Sequence, residues 1–359
     1  MARSIEELIS SVKSYRTPLG KFVDREHEVA KILGEIGFGL SIVVGPLGCG
    51  KTTLADAITR ALAEDDERTA IYVAHREEAG TAKSIVMAPR FSSKELKDIF
   101  AELVDVVSGY VAELRGIVTL IDVLLRICRR VGTSVGEILV FVDEFRSRAE
   151  EARQGLEIDA NYVARMLVEG MRIKVLYLTS DATATKLQLE MGSKARWYIV
   201  WNLPREAFEE LYNVVRPRID FEIVWRLVGG NPRELKALVE DHGHDVESYV
   251  GEKIAMVRNV IEEFVREEKV SLREAMDEIK ILVEDIDVAG YHRIWSYVLE
   301  KNIVIDIDER FRKLSSIPRE PWIGKENAFQ IPIYYWIFKT IARYGEATPK
   351  RILEEIGKA

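Results

Sequence analysis

Over the first 203 residues, short runs of consecutive apolar residues alternate with stretches in which apolar positions recur every three or four residues. The runs are 41–45, 70–75, 138–143, 173–179 and 197–203. They are rich in Val, Ile, Leu and aromatics, the composition of strands buried on both faces. Helical spacing lies between them, clearest over 94–131 (Leu96, Ile99, Phe100, Leu103, Val106, Val107, Tyr110) and 160–170. Alternating strands and helices imply an α/β protein: a parallel sheet covered on both faces, hence a three-layer αβα core. Ahead of it, residues 1–20 read as a helical lead-in. Residues 22–33 read as a helix capped by Asp24, with Val29, Ile32 and Leu33 turned inward.

The pattern changes at Pro204, which suits a helix start. Helices are expected from Arg205, over 220–228, and from Asn231-Pro232, with Asn231 as cap. Asp241-His-Gly-His244 reads as a linker. Further helices follow at about 246–268, 271–285 (capped by Ser271) and 289–301. Strand-like segments stand at 302–307 and 329–333, and a last helix runs through Ile341. Helices plus a two-stranded wing read as a winged-helix domain. The expected organisation is therefore a core at 1–203, a small helical lid at 204–244 and a winged helix at 245–359.

Chemistry concentrates where the first strand ends. Gly45-Pro46-Leu47-Gly48-Cys49-Gly50-Lys51-Thr52-Thr53 fits the phosphate-binding loop G-x-x-x-x-G-K-[ST], between a buried strand and an amphipathic helix (Leu54, Ile58, Leu62). Its glycines let successive N–H groups turn inward as an anion nest, and the following helix adds its positive end. Lys51 would reach the β/γ-phosphates and Thr52 would ligate Mg²⁺. The run 138–143 ends in Asp143-Glu144, the Walker B pattern. Asp143 would hold Mg²⁺, and Glu144 would polarise the attacking water. A further strand between the two motifs, 70–75, together with that glutamate, points to the ATPase half of P-loop folds. Thr179-Ser180-Asp181 closes the fourth run, where Ser180 is a candidate γ-phosphate contact and a helix cap is the alternative. Arg233 is a candidate phosphate contact from the lid. Arg146, Arg148 and Arg153 follow Walker B, and a solvated helix face explains them better than an arginine finger does.

Composition narrows the class. Of 359 residues, 47% are hydrophobic and 31% charged, which suits a globular protein with a charged surface. No apolar run reaches the ~18–20 residues of a membrane span. The amino terminus carries acids where a signal peptide needs an apolar core. Cysteine is limited to Cys49 and Cys128, which predicts no disulfide framework and fits a reducing cytoplasm. A net charge of -8 means that any nucleic-acid contact must use a local patch. Cys49 lies inside the loop, so thiol sensitivity is expected there.

Taken in order, Phe22-Val23-x-Arg25-Glu26, the loop, ILVFVDE, the polar strand end and Gly229-Gly-Asn-Pro-Arg-Glu-Leu235 resemble the archaeal ATPases related to the STAND and AAA+ groups. Phe329-Gln-Ile-Pro-Ile-Tyr-Tyr-Trp-Ile-Phe338 is similar to the end of their winged-helix domain. The resemblance covers about 20–340. It implies ATP or ADP with Mg²⁺, clamped between the core and a helical lid. It would put Phe22 and Val23 near the adenine, Arg25 in the same site and Pro232 by the base or ribose. It also implies an ATP-gated switch that presents the winged helix to a protein partner or to a second copy. Two alternatives are a DNA-bound ATPase resembling origin-recognition and helicase-loading proteins, and a scaffold that retains ADP without turnover. ATP is preferred over GTP because no guanine signature is present.

The wing segment 310–325 contains Arg310, Arg312, Lys313, Arg319 and Lys325 against Glu320, with Trp322 among them. A basic, aromatic-tipped wing would suit DNA phosphates, although the preceding helices are acidic and the expected recognition helix offers mainly His292 and Arg293. Tyr334, Tyr335, Trp336 and Phe338 are expected in a core. The pair His242 and His244 is weak as a metal motif, and a loop is the simpler reading.

Overall fold

Continuous apolar runs make the central sheet. In the computed structural model, which describes residues 3–78, 81–87, 136–143 and 150–358, its strands are β1 (Gly39–Val44), β2 (Arg68–Glu78), β3 (Thr81–Met87), β4 (Glu137–Asp143), β5 (Ile173–Thr179) and β6 (Arg196–Ile199). Their order across the sheet is β6-β1-β5-β4-β2-β3. Strands β1 and β5, β5 and β4, and β4 and β2 pair in parallel. Every residue of β1, β4 and β5 is buried, as a sheet covered on both faces requires.

The chain forms two compact units. The first comprises Met1–Tyr15, Arg25–Val44 and Lys51–Tyr198, and the second Arg16–Asp24, Gly45–Gly50 and Ile199–Ala359. In the first unit, helix Ile5–Lys13 starts with a Ser4/Glu7 capping box. Helix Lys51–Ala61 buries Leu54, Ala55, Ala57, Ile58 and Ala61, one stripe at helical spacing. Buried Lys174 of β5 donates to the carbonyls of Ile32 and Leu33 at 3.2 and 2.9 Å and pairs with Glu137 at 2.8 Å. Those acceptors offset the cost of removing its charge from water.

Several expectations need correction. Hairpin partner β3 is antiparallel to β2, so the sheet is not wholly parallel. In space the strand between β1 and β4 is β5, and β2 lies on the far side of β4. Sequence order could not decide this, because a crossover helix can deliver its next strand to either side. The helix expected from Asp24 spans Glu26–Ala30 and turns into a wider helix over Lys31–Glu35. Arg25 stands in the cap position, and both Asp24 (φ 57°) and Arg25 (φ 77°) adopt left-handed backbone, so Asp24 does not cap it. The 94–131 helical pattern lies outside the described residues.

The second unit is mainly helical. Helices Arg205–Val215, Phe221–Val228 and Pro232–Lys236 come first, followed by Val246–Glu268 and Leu272–Glu284. Asp220 and Asn231 cap their helices, and Ser271 forms a capping box with Glu274. The single helix expected at 289–301 is two short ones, Ile286–Ala289 and Ile294–Glu300. Strands Val304–Asp306 and Asn327–Phe329 pair antiparallel. The second strand stops at Phe329 because Pro332 opens the next helix, Pro332–Tyr344. Helix Pro349–Lys358 is the last. Asp287 accepts the N–H groups of Lys325, Glu326 and Asn327 at 2.8, 3.0 and 2.9 Å, which fixes the chain entering the second strand. Tyr334, Tyr335, Trp336 and Phe338 are core residues, and so is Trp322. The aromatic tip expected on the wing is therefore absent: the Trp322 indole is buried.

Candidate phosphate-binding site

The loop Gly45–Gly50 folds back on itself, with Cys49 N–H bonded to Pro46 O at 3.2 Å. Gly48 (φ +80°) and Gly50 (φ +100°) take the left-handed conformations from which a nest of N–H groups is built. Packing tightens the demand at two glycines. A Cβ on Gly45 would stand 2.1 Å from Val200 O, and one on Gly48 would stand 2.4 Å from the Cβ of Arg233. Among the described residues, an added Cβ on Gly50 would meet nothing within 4 Å. Cys49 is only 1% exposed, with Sγ 3.8 Å from Val200 O. The thiol is therefore shielded, against the expectation of ready sensitivity.

Leu47, at the apex, is held through both main-chain groups. Its N–H donates to Gln330 Oε1 at 2.9 Å, and its carbonyl accepts from Asn231 Nδ2 at 2.8 Å. Asn231 Nδ2 also donates to Asn202 Oδ1 at 3.0 Å, and Asn202 Nδ2 donates to Gln330 O at 2.9 Å. These bonds link three buried carboxamide residues around the main chain of Leu47. Asn231 additionally caps its helix, with Oδ1 accepting Glu234 N–H at 3.1 Å. The Gly-Asn-Pro motif pointed to Asn231. Gln330 lies in the 329–338 run but its role was not legible there, and nothing local marked Asn202.

In the first unit, Lys51 opens the Lys51–Ala61 helix and is buried, while Thr52 and Thr53 are half-buried in its first turn. Register aligns the carboxyl ends of the strands: Val44 stands opposite Thr179, Val142 opposite Tyr177 and Asp143 opposite Ala74. Asp143 thus ends β4 on the same edge as Val44, two strand spacings away, about 10 Å. Buried Tyr72 on β2 donates to Asp143 Oδ2 at 2.6 Å. This hydroxyl, also missed from sequence, fixes the orientation of the carboxylate. Thr179 Oγ1 accepts Asp181 N–H at 3.0 Å, and Asp181 Oδ1 accepts Thr183 N–H at 2.9 Å. Asp181 is thus a cap, and Ser180 between them is half-buried.

Other expected site residues fall as follows. Arg25 is buried, with Nη1 2.8 Å from Glu28 Oε1. Phe22 and Val23 are buried in the second unit. Pro232 is the first residue of its helix and Arg233 is exposed. Glu234 anchors that helix, accepting from Tyr249 at 2.8 Å and pairing with Lys253 at 2.8 Å. Burial, and then Glu234, push the Tyr249 hydroxyl well above its ordinary pKa. Glu144, Arg146 and Arg148 lie outside the described residues, and so does Cys128. Arg153 lies in helix Glu150–Val168.

The basic and histidine-bearing segments are partly committed to internal contacts. Arg310 Nε donates to both oxygens of Asp308 at 2.9 and 2.8 Å. His292 and Arg293 both stand against Glu278, at 3.4 and 3.5 Å. His242 bonds Ser248 and Glu252, each at 3.0 Å. Among the described residues, no group of three or more His, Cys, Asp or Glu could hold a metal ion.

A P-loop between a buried strand and its helix, on a sheet whose Walker B strand is separated from the P-loop strand by one other, defines a P-loop NTPase core of the ATPase type. Residues 22–238, more than half of the chain, match the model of a family described as an ATPase domain predominantly from Archaea. The chain belongs to that family. A comparison with curated proteins returned no match. Among solved structures, the chain is similar to a Walker-type ATPase of Pyrococcus abyssi at 12% identity and TM-score 0.46, over 89% of this chain and 96% of that one. It is also similar to the ORC1 protein of Aeropyrum pernix, solved in complex with DNA, at 15% identity and TM-score 0.36, over 82% and 80% of the two chains.

Proposed function

We propose that this protein is an ATP-binding, ATP-hydrolysing switch that couples nucleotide state to its C-terminal helices, read as a winged-helix domain. The observation that carries the reading is the loop apex: Leu47 is bonded to Asn231 of the lid segment and to Gln330 of the C-terminal segment. The proposed parts are the core at 1–203, the lid at 204–244 and the winged helix at 245–359.

In this reading the N–H groups of the loop and Lys51 bind the phosphates. Arg233, exposed beside Gly48, adds a charge from the lid helix. Phe22, Val23 and Pro232 border the base, and Ser180 faces the γ-phosphate. Arg25, which pairs with Glu28, belongs to the same nucleotide site. Thr52 and Asp143 would hold Mg²⁺, which would neutralise phosphate charge when bound. The residue types fit, since Tyr72 already fixes one carboxylate oxygen of Asp143. Glu144 accepts a proton from the attacking water, and turnover is slow without a partner. The partner is a protein or a second copy of the chain. DNA contact through 310–325 is the weaker alternative, with Arg310 committed to Asp308. A cytoplasmic location accords with the sparse cysteine. Among the described residues, no helix is long and apolar enough to cross a membrane.

The test is to denature purified protein, identify any released nucleotide, and measure phosphate release with and without duplex DNA, with Glu144→Gln as control. The expected result is slow, Mg²⁺-dependent release that Glu144→Gln abolishes. Retained ADP with no turnover under any condition would replace the switch with a scaffold. DNA-stimulated turnover would replace it with a DNA-bound ATPase.

A further inference from the structure

Gln330 joins two parts of the second unit that are far apart in sequence. It sits between strand Asn327–Phe329 and helix Pro332–Tyr344, and it is 3% exposed. All of its polar groups are engaged. Its N–H donates to Ile303 O at 2.9 Å, and its carbonyl accepts from Asn202. Its Nε2 donates to Val304 O at 3.2 Å, and its Oε1 accepts from Leu47 N–H. The partners dictate the orientation of the amide, because an N–H on one side and a carbonyl on the other leave one arrangement. A buried carboxamide in such a frame cannot slide. Withdrawing the loop apex leaves Oε1 of a residue that is 3% exposed without its donor, and an unmade buried hydrogen bond is costly. The contact is therefore made or broken, and that is the kind of element an equilibrium can act on.

The clasp coexists with the left-handed Gly48 and Gly50 and with the Cys49-to-Pro46 turn. Phosphate in a nest of N–H groups favours that same loop shape. Anything that stabilises the shape stabilises the clasp, and by linkage the clasp strengthens phosphate binding by the same factor. We propose that Gln330 is the positioning residue through which the 303–338 segment and phosphate occupancy of the loop are coupled. This rests on the nucleotide reading above and deepens it by naming the residue that transmits the state.

Hydrogen exchange of the full-length protein, with and without saturating Mg-ADP, tests it. Wild type is expected to gain protection at 45–53 and also at 303–307 and 327–338. Gln330→Met fills the same volume without the acceptor. It is expected to bind ADP about 2–10-fold more weakly, the factor for one hydrogen bond, and to gain protection at 45–53 alone. Its own gain at 45–53 shows that the variant folds and binds. The coupling is overturned if wild type gains protection at 45–53 only, or if Gln330→Met transmits like wild type. If ADP protects nothing at 45–53 in wild type, the nucleotide reading itself falls, and the coupling with it.

Discussion

The backbone N–H of Leu47 donates to the side-chain oxygen of Gln330 at 2.9 Å, across 283 positions of chain. The peptide at the tip of the phosphate-binding loop is thus positioned by a residue near the carboxyl end. Asn231 donates to the carbonyl of the same residue, so side chains from two distant stretches of the chain hold one apex together. The glycines of this loop are not equivalent.

Gly48→Ala and Gly50→Ala should therefore separate. Both force a side chain into left-handed backbone, at about 1–2 kcal/mol. Only Gly48→Ala also drives a Cβ to 2.4 Å from Arg233. Gly48→Ala should abolish nucleotide binding measured by calorimetry, whereas Gly50→Ala should weaken it roughly 10-fold, the equivalent of about 1.4 kcal/mol. Equal losses would mean that the Arg233 contact yields freely.

Tyr72 orients Asp143 and, in the proposed reading, acts on the metal alone. Removing a group that orients a metal ligand costs about 10–100-fold in metal affinity. Tyr72→Phe should raise the Mg²⁺ concentration needed for half-maximal phosphate release by ~10-fold. Metal-free ADP affinity should stay unchanged. A matching loss of metal-free affinity would show that Tyr72 supports the loop instead.

The Arg25–Glu28 pair is 4% and 5% exposed at its side chains, so neither charge has water to fall back on. Glu28→Ala should destabilise the protein by about 3–5 kcal/mol, because it removes one member of a buried ion pair. Arg25→Met combined with Glu28→Leu should recover most of that loss. Thermal unfolding of the three variants checks the ranking. A double variant no more stable than Glu28→Ala would refute it.

Glu355 ties the last helix down. Its carboxylate accepts from Tyr344 Oη at 2.9 Å, Arg343 Nη1 at 2.9 Å and Lys358 Nζ at 3.2 Å. The Tyr344 hydrogen bond leads in holding its pKa below the ordinary 4.5, with Lys358 and Arg343 adding to it against burial. A pKa depressed by folding contributes stability that is present above the unfolded value. That stability disappears as pH falls through the folded one. Exchange of amides in 349–358 should thus rise selectively as pH drops below 4.5, relative to the intrinsic rate. Glu355→Gln should flatten that dependence, and an unchanged profile in the variant would exclude Glu355 as its source.

Local chemistry was enough to read much of this protein from its sequence. The P-loop, the buried strands ending at Val44, Asp143 and Thr179, and the caps Asn231 and Ser271 each leave a signal within a few residues. Glycine spacing, an unbroken apolar run and a small polar side chain before a helix all act over that range. Only the tertiary structure decided that β5 stands between β1 and β4, that Tyr72 holds Asp143, and that Trp322 is buried. The same is true of the Gln330 bond to Leu47. Those facts depend on which surfaces meet after the chain has folded back across tens to hundreds of residues. A hydrogen bond between two distant buried groups leaves no periodicity along the chain to mark either of them.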